Sequence, residues 1–362
     1  MAKRVGIDKW LFVATLLLVM IGLVMVFSAS AMTASERFGT QYYFLLRQLL
    51  WALAGLVAMV VTMNIDYRFW KRPAIVFGLL GITTLLLVAV LFLDRSHNTH
   101  RWIRIATFSI QPSELAKPVL VLFLAFFLEA RAKSINDWRH TLLPAILPAA
   151  LFTGLILKQP DLGTAMVCLG VTGVVLYLAG MRLRYFAYAL VPIVPVLWYL
   201  LSKPWRWARI VAFFHPERDP QGIGFHINQS LIAVSTGGVT GQGFMEGKQK
   251  LFWLPEPHTD FIYAVAAEEL GMIGAIAIAI LFLVFVWRGF RAAVHARDPF
   301  GRHLAIGITI MIVVQAFFNM SVVLALLPTK GIPLPFVSYG GSSLFVMLAS
   351  VGVLLNVTQH AE

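Results

Sequence analysis

The sequence predicts an all-α, polytopic membrane protein of about ten transmembrane helices, with both termini cytoplasmic and one large extracytoplasmic loop before the eighth span. Three observations predict it. The 362 residues are 59% hydrophobic and 13% charged, with mean hydropathy +0.80, which leaves too little polar surface to cover a water-soluble fold. The apolar runs are continuous rather than alternating, which points to helices crossing a ~30 Å hydrocarbon core and away from a β-barrel. Lys and Arg gather in alternate short connections, the pattern of cytoplasmic loops.

The expected spans are 10–27, 45–63, 74–93, 115–128, 142–157, 162–180, 185–201, 261–287, 303–327 and 342–356. The first lacks a small-residue cleavage site after a short apolar stretch, so it is expected to stay as a span. Lys3, Arg4 and Lys9 precede it on the inside. Arg68, Lys71 and Arg72 join spans two and three, and Arg131, Lys133 and Arg139 join four and five. Arg182 and Arg184 join six and seven; Arg288, Arg291, Arg297 and Arg302 join eight and nine. The outer connections carry less, except for Arg95, Arg101 and Arg104 in one loop and the long loop 202–260. Residues 1–362 form a single membrane domain, without internal repeats.

The net charge of +12 follows largely from the cytoplasmic cations, which snorkel and meet anionic lipid, so nucleic-acid binding is not required. Basic residues on the outer face run against that pattern and suggest an anionic ligand there. Cys168 stands alone inside a span and reads as an inert buried thiol. The nine His residues are scattered with no HExxH and no Cys partner, so structural zinc is not supported. No GxSxG elbow occurs. Gly247-Lys248 supplies the GK of a P-loop, but Gln242 stands where the first glycine belongs and Gln249 replaces Ser/Thr.

Carboxylates at a membrane surface are costly to desolvate and usually persist because they bind or react. Four lie close together in LPEPHTDFIYAVAAEELG, namely Glu256, Asp260, Glu268 and Glu269, with His258 and Thr259 beside Asp260. At the mouth of a span, desolvation would raise the Asp260 pKa and nearby Lys/Arg would lower it; so poised, Asp260 suits a general base, and equally an N-cap for the following helix. Glu268 and Glu269, two turns deeper, suit helix packing or pairing with Lys117 as well as chemistry.

The other candidates lie in outer segments. In HNTHRWIRIATFSIQPSELAK (97–117), Trp102 with Arg101 and Arg104 reads as interfacial. Pro112 at the first turn, with Ser113 able to cap, then opens a helix that carries Glu114 and Lys117, a ligand site or a local i,i+3 ion pair. Lys158 and Asp161 flank the break KQPDLGT, where Asp161 also suits a cap. The long loop holds an aromatic-basic stretch (203–214), Gln229 and Ser230, and a glycine-rich run leading to Lys248 and Lys250, whose N–H groups could cradle an anion. LPTKGIPLPFVSYGGSS offers Lys330, Ser338 and Ser342 on irregular backbone, which lines a cavity or forms a plain turn.

The stretches RWIRIATFSIQPSELAK, KQPDLGTA, QSLIAVSTGG, GKQKLFWLPEPHTDFIYAVAAEELG and PTKGIPLPFVSYGGSS closely resemble the SEDS family of bacterial cell-wall membrane proteins (shape, elongation, division and sporulation). PTKG and GLVMVFSAS look more like the division members than the elongation or sporulation members. One departure is Ile105-Ala106-Thr107, where relatives commonly show Leu-Gly. The resemblance implies a peptidoglycan glycosyltransferase of the inner membrane that polymerises lipid II at the outer face, with Asp260 as the essential acid. It also implies a class B penicillin-binding transpeptidase as partner beside other divisome or elongasome membrane proteins. A divalent cation, Mg²⁺ or Mn²⁺, would be held through Asp260 and the substrate pyrophosphate. Arg101, Lys117, Lys248 and Lys250 are the cations expected to face that pyrophosphate. A lipid II transporter and a catalytically silent scaffold are the rival readings.

Overall fold

The computed structural model describes residues 6–94, 100–105, 108–216, 222, 224–251 and 253–360. Arg95, His97 and the Ala106-Thr107 departure lie outside them. The expected spans fall on ten helices: α1 (Lys9–Phe38), α2 (Tyr43–Asn64), α3 (Pro73–Leu93), α4 (Pro112–Ala130), α5 (Leu143–Lys158), α6 (Leu162–Leu178), α7 (Leu183–Leu201), α10 (Ile262–Val294), α11 (Pro299–Val323) and α12 (Gly341–Gln359). Among the described residues seven helices are long and apolar enough to cross a membrane, α5 being counted with the turn that leads into it. The long loop also contains helix, α8 (Pro204–Phe214) and α9 (Phe225–Gly237).

The centre of the bundle is α11, which packs against α10, α4, α6 and α12, while α2 runs along α12 and α1 along α10. In lipid the apolar side chains gain little from leaving water, so small residues that admit close approach carry the packing. Gly307 of α11 faces Val121 of α4, where a Cβ would collide with the valine. Both helices are buried on nearly every side.

Capping and ion pairs fix the end that the basic loops assign to the cytoplasm. Asp8 caps α1 by accepting from Leu11 N (3.0 Å) and pairs with Arg288 (2.6 Å). Lys71 meets Glu129 at 2.7 Å, and Asp298 accepts from both Tyr67 and Arg68.

Three local features add to the expectations. In the outer segment that carries Trp102, β1 (Ile103–Ile105) and β2 (Phe108–Ile110) pair antiparallel, Ile103 opposite Ile110. The apolar-polar-apolar alternation of Ile-Arg-Ile and Phe-Ser-Ile has the period of a strand. Ser113 does not cap α4. Pro112 takes the first turn, Gln111 stands at the cap without a side-chain bond, and Ser113 Oγ is buried with no partner among the described residues. Finally, α10 is broken at Gly271 (φ 67°, ψ −168°), directly after Glu268-Glu269-Leu270.

Candidate active site

The segment before α10 is held by its backbone. Thr259 N donates to Glu256 O (3.1 Å), and three consecutive carbonyls are then taken from outside the segment. Tyr339 N donates to His258 O (2.9 Å), Ser338 Oγ to Thr259 O (2.6 Å), and Asn319 Nδ2 to Asp260 O (2.7 Å). Ser338 Oγ also accepts from Leu334 N (2.7 Å), so it is a structural pin rather than a ligand. Glu256 (φ 48°) and Phe336 (φ 64°) sit in the left-handed region, a backbone strain that such pinning sustains.

The Asp260 carboxylate itself accepts no hydrogen bond and joins no ion pair among the described residues. The cap of α10 is Phe261, with no side-chain bond to the helix, so the capping role open to Asp260 is not taken. The carboxylate instead faces a cavity of about 400 Å³ together with Glu256, Lys330, Arg209 of α8 and His226 of α9. Gly331 closes one wall so tightly that a Cβ there would stand 2.5 Å from Asp260 Oδ2. Burial pushes the Asp260 carboxyl up to about 7, helped by the negative charges of Glu256 and Asp161 and opposed by Arg101 and Arg209. Burial likewise pushes the Lys330 amine down to about 8; Asp161 opposes the shift and Arg209, Arg206 and Arg101 add to it. His226 is pushed down by burial and by Arg209, so it is neutral at pH 7. One cavity thus holds an acid pushed up and an amine pushed down, both by burial, the kind of perturbation that marks candidate functional sites.

A second cavity of about 470 Å³ shares Glu256 with the first and is lined by Arg47, Trp51, Trp102, His258 and Tyr339. The His258 ring lies 4.7 Å from Phe44 and 5.7 Å from Tyr339. Thr259 also lines it, and its hydroxyl donates to the Glu256 carboxylate at 3.3 Å.

Several predicted ligands serve the fold instead. Arg101 donates from Nε to Gln159 O (2.9 Å) and from Nη2 to Pro160 O (2.7 Å), stapling its loop to the α5–α6 turn. Asp161 is the cap of α6, accepting from Thr164 N (3.1 Å) and Oγ1 (2.8 Å), while Lys158 is exposed at the end of α5. Glu114 and Lys117 are a buried ion pair at 2.8 Å, with Lys117 also donating to Gln315 Oε1 (2.7 Å). Ser230 donates to Val323 O (2.8 Å), with half-buried Gln229 beside it on α9, and Ser342 is buried at the start of α12.

The glycine-rich run does hold anions, but they are the protein's own. Lys248 N and Gln249 N donate to Glu268 Oε1 (2.8 and 3.1 Å), and Met245 N to Glu269 Oε2 (3.1 Å). Lys250 is buried against Glu269 (2.6 Å) and Ser28 (2.8 Å) and lines neither cavity, and Glu269 pairs with it rather than with Lys117. Lys248 is exposed and lines neither cavity. Sequence reasoning missed Arg209, His226, Arg47 and Asn319. Only Arg209 left a signal, as part of the aromatic-basic stretch that became α8.

Among the described residues no group of three or more His, Cys, Asp or Glu could hold a metal ion. Glu256 and Asp260, two carboxylates on one cavity, fit a hard cation that draws its remaining ligands from phosphate and water.

The family model described as "Cell cycle protein" (FtsW/RodA/SpoVE) matches residues 9–362. A probable peptidoglycan glycosyltransferase FtsW from Geobacter sp. (strain M18) is 45% identical over 360 residues, covering 99% of this chain and 98% of that protein. Stage V sporulation protein E of Bacillus subtilis (strain 168) is 43% identical over 364 residues, 99% of each. Among solved structures, a chain of a peptidoglycan synthase complex, described as coordinating polymerization and crosslinking, superposes with a TM-score of 0.80 at 30% identity and 98% coverage of both chains. The rod shape determining protein RodA of Thermus thermophilus superposes at 0.72 with 28% identity, covering 98% of this chain and 97% of that one.

Proposed function

This chain belongs to the FtsW/RodA/SpoVE family of cell cycle proteins, and on that premise we propose that it is a peptidoglycan glycosyltransferase that polymerises lipid II in cell division. The observation that carries the mechanism is the Asp260 carboxylate: without a hydrogen bond or ion pair among the described residues, facing a cavity, and pushed up to about 7. Asp260 takes the proton of the acceptor GlcNAc 4-hydroxyl as its oxygen attacks C1 of the donor MurNAc. The C1–O bond to undecaprenyl pyrophosphate breaks as the glycosidic bond forms, and the leaving group carries away the electron pair. A pyrophosphate leaves well, so one carboxylate suffices where glycosidases need two. Lys330 and Arg209 line the same cavity and offset the departing charge. A divalent cation facing Glu256 and Asp260 would add Lewis-acid neutralisation of the pyrophosphate.

The outer face is the assigned side. Asp260 precedes the start of α10, and Arg288, paired with Asp8, lies near the other end of that long helix. With Arg288 in a basic, cytoplasmic connection, the cavity opens outside. The likeness to a chain of a synthase complex supports a crosslinking partner, which we assign as a class B penicillin-binding transpeptidase. The transporter reading has less support, because the deep charges Glu114–Lys117 and Lys250–Glu269 are closed pairs.

The test is gel analysis of products from labelled lipid II with the purified chain, with and without the transpeptidase and Mg²⁺. Glycan ladders are expected. Transbilayer movement of lipid II in proteoliposomes without polymer from any combination would put the transporter first.

A further inference from the structure

One carboxamide joins the two segments that build the reactive cavity. Asn319 lies in the last two turns of α11, 2% exposed, and its Nδ2 donates to Asp260 O and to Ile332 O, both at 2.7 Å. Ile332 follows Lys330 and Gly331 directly, and Gly331 is the residue whose Cβ would strike the Asp260 carboxylate. One turn earlier on the same helix face, Gln315 Nε2 donates to Pro333 O (3.0 Å) while its Oε1 accepts from Lys117. The carbonyls of Ile332 and Pro333 are thus both held by α11, and only Asn319 also reaches Asp260. Its two N–H donors are fully spent on these bonds, while Oδ1 is buried with no partner among the described residues.

We infer that Asn319 is a positioning residue of the polymerase site: it fixes the spacing between the Asp260 segment and the Lys330–Gly331–Ile332 segment, and so aims the base without touching substrate. The inference rests on the proposed role of Asp260. A misplacement of about 1 Å in a reacting group costs on the order of 10²-fold in rate, and losing the clamp removes the side chain that ties the Asp260 and Ile332 carbonyls to one point of α11.

The test uses the full-length protein with its transpeptidase partner and labelled lipid II. Asn319→Leu and the smaller Asn319→Ser are compared with Asp260→Ala and with Thr309→Val, which removes another buried hydrogen bond of α11 far from Asp260. Expected for either folded Asn319 variant is a fall in kcat of about 10²-fold with KM within about threefold. A lesion that merely loosens the bundle weakens substrate binding as well and raises KM beyond that range. Wild-type kcat in a folded Asn319 variant, with Asp260→Ala dead, overturns the clamp. A kcat loss shared equally by Thr309→Val does so too. Polymer made by Asp260→Ala overturns the parent reading, and that result is read without any Asn319 variant.

Discussion

The raised carboxyl of Asp260 makes a quantitative prediction about rate and, with opposite sign, about stability. A general base works only when ionised. With its pKa at about 7, the ionised fraction rises about fivefold between pH 6 and pH 7, so kcat for lipid II polymerisation should rise by that factor with a midpoint near 7. A carboxylate at the ordinary 3.8 would give a flat profile over the same range. For stability, the folded state holds this proton more tightly than the unfolded chain. The resulting stabilisation is complete below about 3.8 and is lost as pH rises through about 7. At about 1.4 kcal/mol per pH unit the gap corresponds to at most about 4 kcal/mol, and partial exposure of Asp260 reduces it. Asp260→Asn should therefore melt a few degrees above wild type at pH 8 and level with it at pH 4, while making no glycan. The assays are single-turnover polymerisation across pH and thermal melting in detergent. A flat rate from pH 5.5 to 8.5, or an Asp260→Asn variant less stable than wild type at pH 8, would refute the reasoning.

Three further outcomes follow from the same geometry. With the Lys330 amine at about 8, wild-type activity should fall on the alkaline side, and Lys330→Arg should carry that fall beyond about pH 9 in the same rate assay. Lys250→Met should strand the buried Glu269 charge and cost about 3–5 kcal/mol in melting experiments, with the double variant Lys250→Met/Glu269→Gln recovering much of it. Gly271→Ala places a Cβ against Gly241 N at a positive φ and should cost more than about 2 kcal/mol, whereas Gly170→Ala, with open space inside α6, should gain up to about 1 kcal/mol.

The sequence made the membrane class legible because apolar runs must be continuous when the backbone satisfies itself within each helix. It also drew attention to Asp260, a carboxylate at the mouth of a span. What it could not resolve was the choice between base and cap, since both predict Asp at a helix start; the structure assigns that cap position to Phe261. Partners distant along the chain were equally hidden. Lys250 meets Glu269 only because the glycine-rich run folds back onto the break in α10, a path that Gly241 and Gly271 permit by close backbone contact. Asp161 and the Glu114–Lys117 pair lay within one turn of their partners, so their structural roles were readable as alternatives. Asn319 gave no signal, because a lone amide in an apolar helix looks the same whether it faces a neighbour or a catalytic segment.

The measurement that bears most directly on the central claim is polymerisation of labelled lipid II by wild type and by Asp260→Asn, with the transpeptidase and Mg²⁺ present. Lipid II binding should be measured on both proteins. The account predicts glycan strands from wild type, and none from an Asp260→Asn protein that is folded and still binds lipid II. Strands of similar length and rate from both would contradict it.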